Sequence, residues 1–296
     1  MPISSISKPS KAKIVFHQGS SRLVDCESVS PMRFLHPYFS DQAACLILSS
    51  YGGGLVQGDQ ISIEIECDVS TTLFMGTQAN SRVYRNDQGY STTHSLHVEV
   101  AQHAKVISLP EPLVLHGGSQ FHQKQKWNLQ KDAAILLGEW FQCGRSDSGE
   151  RFAYDFYDSL IEIRQEGELL LREPFLSKPD PHPPNQTGCF GDANLLLNLY
   201  AVGEAQELLL AALEPFVAEQ SAHTQVPALG QKVSFPAPDT IRSLVELEHA
   251  PITIFRMLGK TRMDFDPVWQ ALGPLLATEK WLGKEAKLPM CRQDLS

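Results

Sequence analysis

Ile61-Ser62-Ile63-Glu64-Ile65-Glu66-Cys67-Asp68-Val69 is the stretch from which the architecture is read. Its apolar residues (Ile61, Ile63, Ile65, Cys67, Val69) alternate with Ser62, Glu64, Glu66 and Asp68. A period of two puts the apolar groups on one face and the carboxylates on the other, which is the pattern of a half-buried strand. The same alternation recurs at Leu96, Val98 and Val100 against Ser95, His97 and Glu99. It recurs again at Phe152, Tyr154 and Phe156, followed by Leu160-Ile161-Glu162-Ile163. Turn signals separate these runs: Gln57-Gly58-Asp59, Asn86-Asp87-Gln88-Gly89, Pro110-Glu111-Pro112, Gly117-Gly118, Ser148-Gly149 and Glu166-Gly167. Many short strands with closely spaced turns predict a mainly β body over 1–178, either β-helical (solenoid-like) or sandwich-like. No repeat of fixed period is visible, so a regular solenoid with sequence repeats is not supported.

A proline-rich break (Pro179, Pro181, Pro183, Pro184) ends this texture. The remainder, 190–296, predicts a smaller α+β part with two helices. Leu195 to Tyr200 reads as a strand. Glu204 to Glu219 has helical composition, with Leu208, Leu209 and Ala212 on one stripe and Pro215 placed to kink or end it. Ser243 to Glu248 and Pro251 to Met257 read as a strand or hairpin. Asp266 to Trp281 reads as the second helix, with Val268, Leu272, Leu275, Leu276 and Trp281 apolar. The expectation is a single domain over 1–296, one cooperative unit with two textures.

Composition narrows the function. The 296 residues carry 25 Lys+Arg against 34 Asp+Glu, a net charge of −9, which argues against nucleic acid held by bulk electrostatics. Apolar runs such as Ala43 to Leu48 fall far below the ~18–20 residues of a bilayer span. The first ten residues contain no apolar signal core, and the expected location is cytoplasmic. Cys26, Cys45, Cys67, Cys143, Cys189 and Cys291 form no CxxC pair and read as reduced thiols.

Several familiar sites fail on inspection. Gly53 and Gly58 have the spacing of a phosphate-binding loop, but Asp59-Gln60 stands where Lys-Ser/Thr is required, and Gln57 occupies the third glycine of a dinucleotide fingerprint. A turn between strands is the simpler reading. Ser146 lies one residue short of a nucleophile elbow, no helix pattern follows it, and His116-Gly117-Gly118 resembles an oxyanion loop only loosely. His94 and His97 face opposite sides of a strand and do not chelate one ion. Lys124 and Lys126 read as a solvated strand face. Glu139 is the informative acid, because it lies within the apolar run Ala133 to Phe141. Burying an ionised Glu alone is costly, so it either pairs with Arg145 or Arg151 or lines a polar channel.

Four motifs stand together along the chain. They are Gly52-Gly53-Gly54-Leu55-Val56-Gln57-Gly58-Asp59, then Thr77-Gln78-Ala79-Asn80-Ser81-Arg82-Val83-Tyr84-Arg85, then Leu109-Pro110-Glu111-Pro112-Leu113. The fourth is Gly144-Arg145 with Gly149-Glu150-Arg151-Phe152, then Glu162-Ile163-Arg164 and Gly167. Together they resemble the urease accessory protein UreD (UreH) family, whose corresponding first three motifs read GGGLVGGD, TTQAxxKVYR and LPxPL. The resemblance runs from about Ser30 to Pro179 and more faintly beyond. Gln57 replaces a glycine, Arg82 replaces a lysine, and Leu288-Pro289-Met290-Cys291-Arg292 stands in place of the family's Pro-Arg-Ile-Trp ending.

The resemblance implies a non-enzymatic scaffold in nickel delivery. Its implied partners are UreF, UreG through UreF, and apo-urease, with a homodimer of the assembled complex as a further implication. It also implies a polar internal tunnel, onto which Asp59, Ser81, Glu139 and Glu173 map. No tightly bound cofactor is expected, only transient Ni2+, because an imidazole or thiolate cluster would trap an ion this high in the divalent affinity order. Scattered carboxylates and a hydroxyl would hold it weakly. Two plainer roles stay open at this point: Asp59 as the cap of its turn, and Glu139 as the partner of Arg145. Gly52, Gly53, Gly54 and Gly58 read as backbone-geometry positions. Tyr84, Arg85 and Arg145 read as structural or interface residues. The alternative function is a β-rich binding module without metal transfer; a hydrolase using Ser146 and His116 ranks last.

Overall fold

The structure is a computed structural model, which describes residues 8–186, 188–223 and 240–288. Its strands in chain order are β1 (Ser10–His17), β2 (Ser20–Glu27), β3 (Met32–Leu35), β4 (Ala44–Ser50), β5 (Gln60–Cys67), β6 (Thr72–Thr77), β7 (Ser81–Val83), β8 (Thr92–Val100) and β9 (Lys105–Ser108). There follow β10 (Leu113–Leu115), β11 (Gln120–Leu129), β12 (Ala134–Gln142), β13 (Phe156–Gln165), β14 (Glu168–Ser177), β15 (Leu195–Val202), helix α1 (Ala205–His223), β16 (Ile241–Glu246), β17 (Ile252–Gly259) and helix α2 (Asp266–Leu276).

The strands form two facing sheets. The first has seven strands in the order β14-β13-β11-β8-β5-β1-β2. The second has ten, β16-β17-β15-β12-β9-β6-β4-β3, with β10 beside β12 and β7 beside β10. From β4 to β13 the chain alternates between the sheets, and successive strands within each sheet are parallel. That path is a solenoid, which resolves the choice between solenoid and sandwich. Coils enter the first sheet at Gln60, Thr92, Gln120 and Phe156, so they differ in length. Unequal coils leave no fixed period in the sequence, although the path itself repeats.

Register stacks like residues along the solenoid. Ile65, Val98, Trp127 and Ile163 are successive partners and all are buried. On the outer face the row Glu64, His97, Lys126, Glu162 is polar throughout, and Lys11 pairs with Glu64 at 2.8 Å. The inner strands β5, β8, β11 and β13 thus bury one face and solvate the other, as the alternation at 61–69 requires.

The second sheet is covered on its outer face by the helices. Leu197, Leu199, Phe255 and Met257 pack there with Leu208, Leu209, Leu213, Val268, Trp269 and Leu272. The C-terminal strands β15 and β17 continue this sheet from β12 by antiparallel pairing, so the two textures share one hydrogen-bonded layer. Pro215 lies inside α1, which runs on to His223, and α2 ends at Leu276 with Trp281 buried beyond it.

One expected strand is absent. Phe152 and Tyr154 precede β13 in a loop, with Phe152 at φ 52°. Their apolar character serves an aromatic cluster instead: Phe141 meets Tyr154 and Phe190 at ring distances of 5.9 Å, and Phe152 meets Phe190 at 5.1 Å. Cys291 and the sequence from Pro289 onward lie outside the described residues.

Candidate functional site

A cavity of about 220 Å³ lies between the sheets and opens to solvent. Gly53, Gln78, Ala79, Asn80, Ser81 and Glu111 stand around its mouth. These residues belong to three separate sequence motifs, and local hydrogen bonds tie the motifs together. Leu55 N–H donates to Arg82 O at 2.7 Å and Tyr84 N–H to Leu55 O at 2.8 Å. Ser81 N–H donates to Pro112 O at 3.0 Å, and Glu111 N–H to Thr77 Oγ1 at 2.8 Å.

The glycines serve this joinery. Gly52, Gly53 and Gly58 have φ of 73°, 75° and 79°, whereas Gly54 is extended and yields space instead. A Cβ on Gly54 would lie 2.7 Å from the Tyr84 ring and 3.0 Å from Arg82 O.

The interior end of the cavity is polar. His94, Gln123 and Ser159 are register partners across β8, β11 and β13, forming one inward row. Glu139 projects toward them from β12 in the opposite sheet. Its Oε1 accepts from Ser159 Oγ at 2.6 Å, Tyr157 OH at 3.3 Å and Gln123 Nε2 at 3.5 Å. Glu139 is 8% exposed, and its burial raises the carboxyl pKa against the opposing pull of these donors.

Neither arginine considered for Glu139 turns to it. Arg145 forms a two-point pair with Glu150 (Nε to Oε2 2.9 Å), and Arg151 Nε donates to Asn194 Oδ1 at 2.7 Å. Of the two roles left open for Glu139, the cavity-lining one agrees with its position.

His94 was not singled out from sequence except as a failed chelator. It shares parity with Leu96 and Val98, which was the available signal for an inward side chain. Burial pushes its imidazole down to about 4, so it is neutral near pH 7. It keeps some accessible surface because the cavity it faces has room for several waters.

The other expected site residues separate. Ser81 lines the mouth. Asp59 does not line the cavity: its Oδ2 accepts Val56 N–H at 2.8 Å, closing the turn between Leu55 and β5. Glu173, on β14, lies away from the cavity wall and pairs with Arg256 Nη2 at 2.8 Å. Arg256 had escaped notice, though it interrupts the apolar run Ile252 to Met257 much as Glu139 interrupts its own.

The fourth motif builds a loop support. Gly149 takes the left-handed conformation at φ 79°, Glu150 Oε2 accepts Gly117 N–H at 3.1 Å, and Arg145 holds the Glu150 carboxyl down at about 2. Ser146 begins a single short turn rather than a strand-to-helix elbow, and His116 meets the Tyr84 ring edge-on. Among the described residues, no three His, Cys, Asp or Glu side chains converge as a metal-holding group. Cys45, Cys67 and Cys143 are buried free thiols, and burial pushes the first two up to about 12.

The family model for the UreD urease accessory protein matches residues 9–293, nearly the whole chain. The chain belongs to the UreD family. It is similar to the urease accessory protein UreD of Cytophaga hutchinsonii, at 32% identity over 63% of this chain and 66% of the relative. It is similar to that of Magnetococcus marinus, at 32% over 71% and 73%, and to urease accessory protein D of Oryza sativa subsp. indica, at 29% over 54% and 53%. The alignments thus span between about half and about three quarters of these relatives' lengths. The relatives bear the name urease accessory protein. No helix among the described residues is long and apolar enough to cross a membrane.

Proposed function

We propose that this chain acts in urease maturation as a scaffold that passes Ni2+ through its interior. In this reading it is bound to UreF, reaches UreG through UreF, and docks on apo-urease. The observation that supports it best is the placement of Glu139: a deep carboxylate, hydrogen-bonded by hydroxyl and amide donors, at the end of a cavity framed by three of the family-like motifs.

The chemistry suits a cargo that must leave. One carboxylate, a hydroxyl and water give nickel exchangeable oxygen ligands, whereas a thiolate or imidazole cluster would hold it. A cavity with room for water also relieves part of the desolvation penalty on the Glu139 carboxylate. The net charge of −9 favours approach of a cation. Ser81 takes the entry position in this reading, Glu139 the interior one and Glu173 the far end. Asp59 is assigned the turn.

The test is activation of apo-urease by Glu139→Leu and Glu139→Gln variants that remain soluble and still bind UreF. The leucine variant should lose activation at least about tenfold, equivalent to roughly 1.4 kcal/mol on the limiting step. Wild-type activation by a UreF-competent Glu139→Leu protein would refute transit. Asp59→Ala should lower activation only in proportion to lost folded protein.

A further inference from the structure

Beyond Glu139 a second polar row leads away from the cavity. Glu139, Asn198 and Arg256 are register partners on β12, β15 and β17. Their parity places them on the inner face, since Tyr200, Val202, Ile252 and Ile254 belong to the core between the sheets. The opposite parity, Leu197, Leu199, Phe255 and Met257, faces the helices. From the facing sheet, Glu173 closes on Arg256 at 2.8 Å.

One atom in this row is orphaned. Asn198 is 6% exposed; its side chain hydrogen-bonds the Glu139 carboxylate, while its Oδ1 has no hydrogen-bond partner. The Tyr200 hydroxyl, two residues further along β15, is also buried, with the Arg256 guanidinium as its hydrogen-bonding neighbour. Buried acceptors without donors are rare and point to a missing donor, water or cation. In register order Glu139, Asn198 and Arg256 lead across the sheet to Glu173, a polar line whose last carboxylate a guanidinium occupies.

We propose that Arg256 gates the far end of this line, holding Glu173 until a divalent cation displaces it. The proposal rests on the transit reading above. The step is an ion exchange: M2+ takes the Glu173 carboxylate, and the guanidinium swings to solvent. The pair can open, because the Arg256 side chain is 41% exposed and the Glu173 side chain 28%, and it is made through one Nη2–Oε1 contact. With Arg256 in place Glu173 is neutralised, so it does not trap ions; without it, two carboxylates would share the row uncompensated.

The experiment is calorimetric titration of the full chain with NiCl2 in low salt, with folding checked by circular dichroism. Arg256→Met should bind Ni2+ about tenfold more tightly than wild type, and Arg256→Lys should stay within about twofold of it. Adding Glu173→Gln to Arg256→Met should abolish the gain. Glu173→Gln alone should bind Ni2+ more weakly than wild type, because it removes the carboxylate that the cation takes; if the methionine variant does not fold, this variant and Arg256→Gln give the answer. Wild-type affinity in Arg256→Met or Arg256→Gln, or wild-type affinity in Glu173→Gln alone, overturns the gate. Loss of urease activation in Glu139→Leu with no tightening in Arg256→Met sinks the gate and leaves transit. Tightening in Arg256→Met with full activation by Glu139→Leu sinks transit and leaves a cation site at Glu173.

Discussion

His94 and Glu139 face one cavity, and burial penalises the charged form of each, so their acid responses have opposite sign. The folded His94 resists protonation down to about 4, while the unfolded side chain takes its proton near 6.5. Its stabilising contribution is present above pH 6.5 and disappears as pH falls toward 4. His94→Gln should therefore gain about 1–2 kcal/mol relative to wild type between pH 7 and pH 4, read from urea melts. A stability difference that stays flat across that range would count against the desolvated imidazole. Glu139 behaves in reverse. Its folded pKa is raised, so the burdened state is the ionised one at neutral pH, and the burden lifts on acidification. Glu139→Gln should be at least as stable as wild type at pH 7, with the difference closing as pH falls from neutral toward 4.5, the ordinary Glu value, and absent below it. Glu150 gives the third pattern. Arg145 lowers its pKa to about 2, so Glu150→Gln should lose about 1 kcal/mol above pH 4.5, and the loss should fade as pH approaches 2.

Among the elements, the joint between the Gly52–Asp59 turn and β7 has the least tolerance. Gly54 leaves room for the Tyr84 ring, while Leu55 bonds the backbone on both sides of Val83. Gly54→Ala must shift either the ring or the Arg82 carbonyl, and should cost about 1–3 kcal/mol as overpacking. Chemical denaturation measures it, and an unaltered midpoint would place Tyr84 elsewhere in solution. The strands at 61–67, 94–100 and 195–200 were legible because a half-buried strand writes its period into adjacent residues. Phe152 and Tyr154 misled for the same reason: two aromatics in alternation look like a strand when both simply plug an aromatic cluster. His94, Asn198 and Arg256 had the parity of their apolar neighbours, yet inward polar residues are seen only once the inward face is known.

At the level of the whole molecule, the second sheet joins the two textures. Ile135 to Gln142 pair with Leu195 to Val202 along all of β15, and the helices bury the outer face of the same sheet. A fragment ending before β15 would expose both a strand edge and that apolar face. The fragment 1–190 should aggregate or lack a cooperative melt, while the full chain should melt in one calorimetric transition. Two separable transitions in the full chain would mean that the sheet is not a shared unit.

Local chemistry alone specified the β texture, the two late helices, the acid inside an apolar run and the motifs that resemble the UreD family, because each is written in residues close together along the chain. The solenoid path, the freedom of Glu139 from any arginine, the assignment of Asp59 to its turn and the line from Glu139 to Arg256 came only from the folded molecule. They depend on which strand lies beside which, and that pairing joins residues far apart in sequence through coils of unequal length, where no local period records the register.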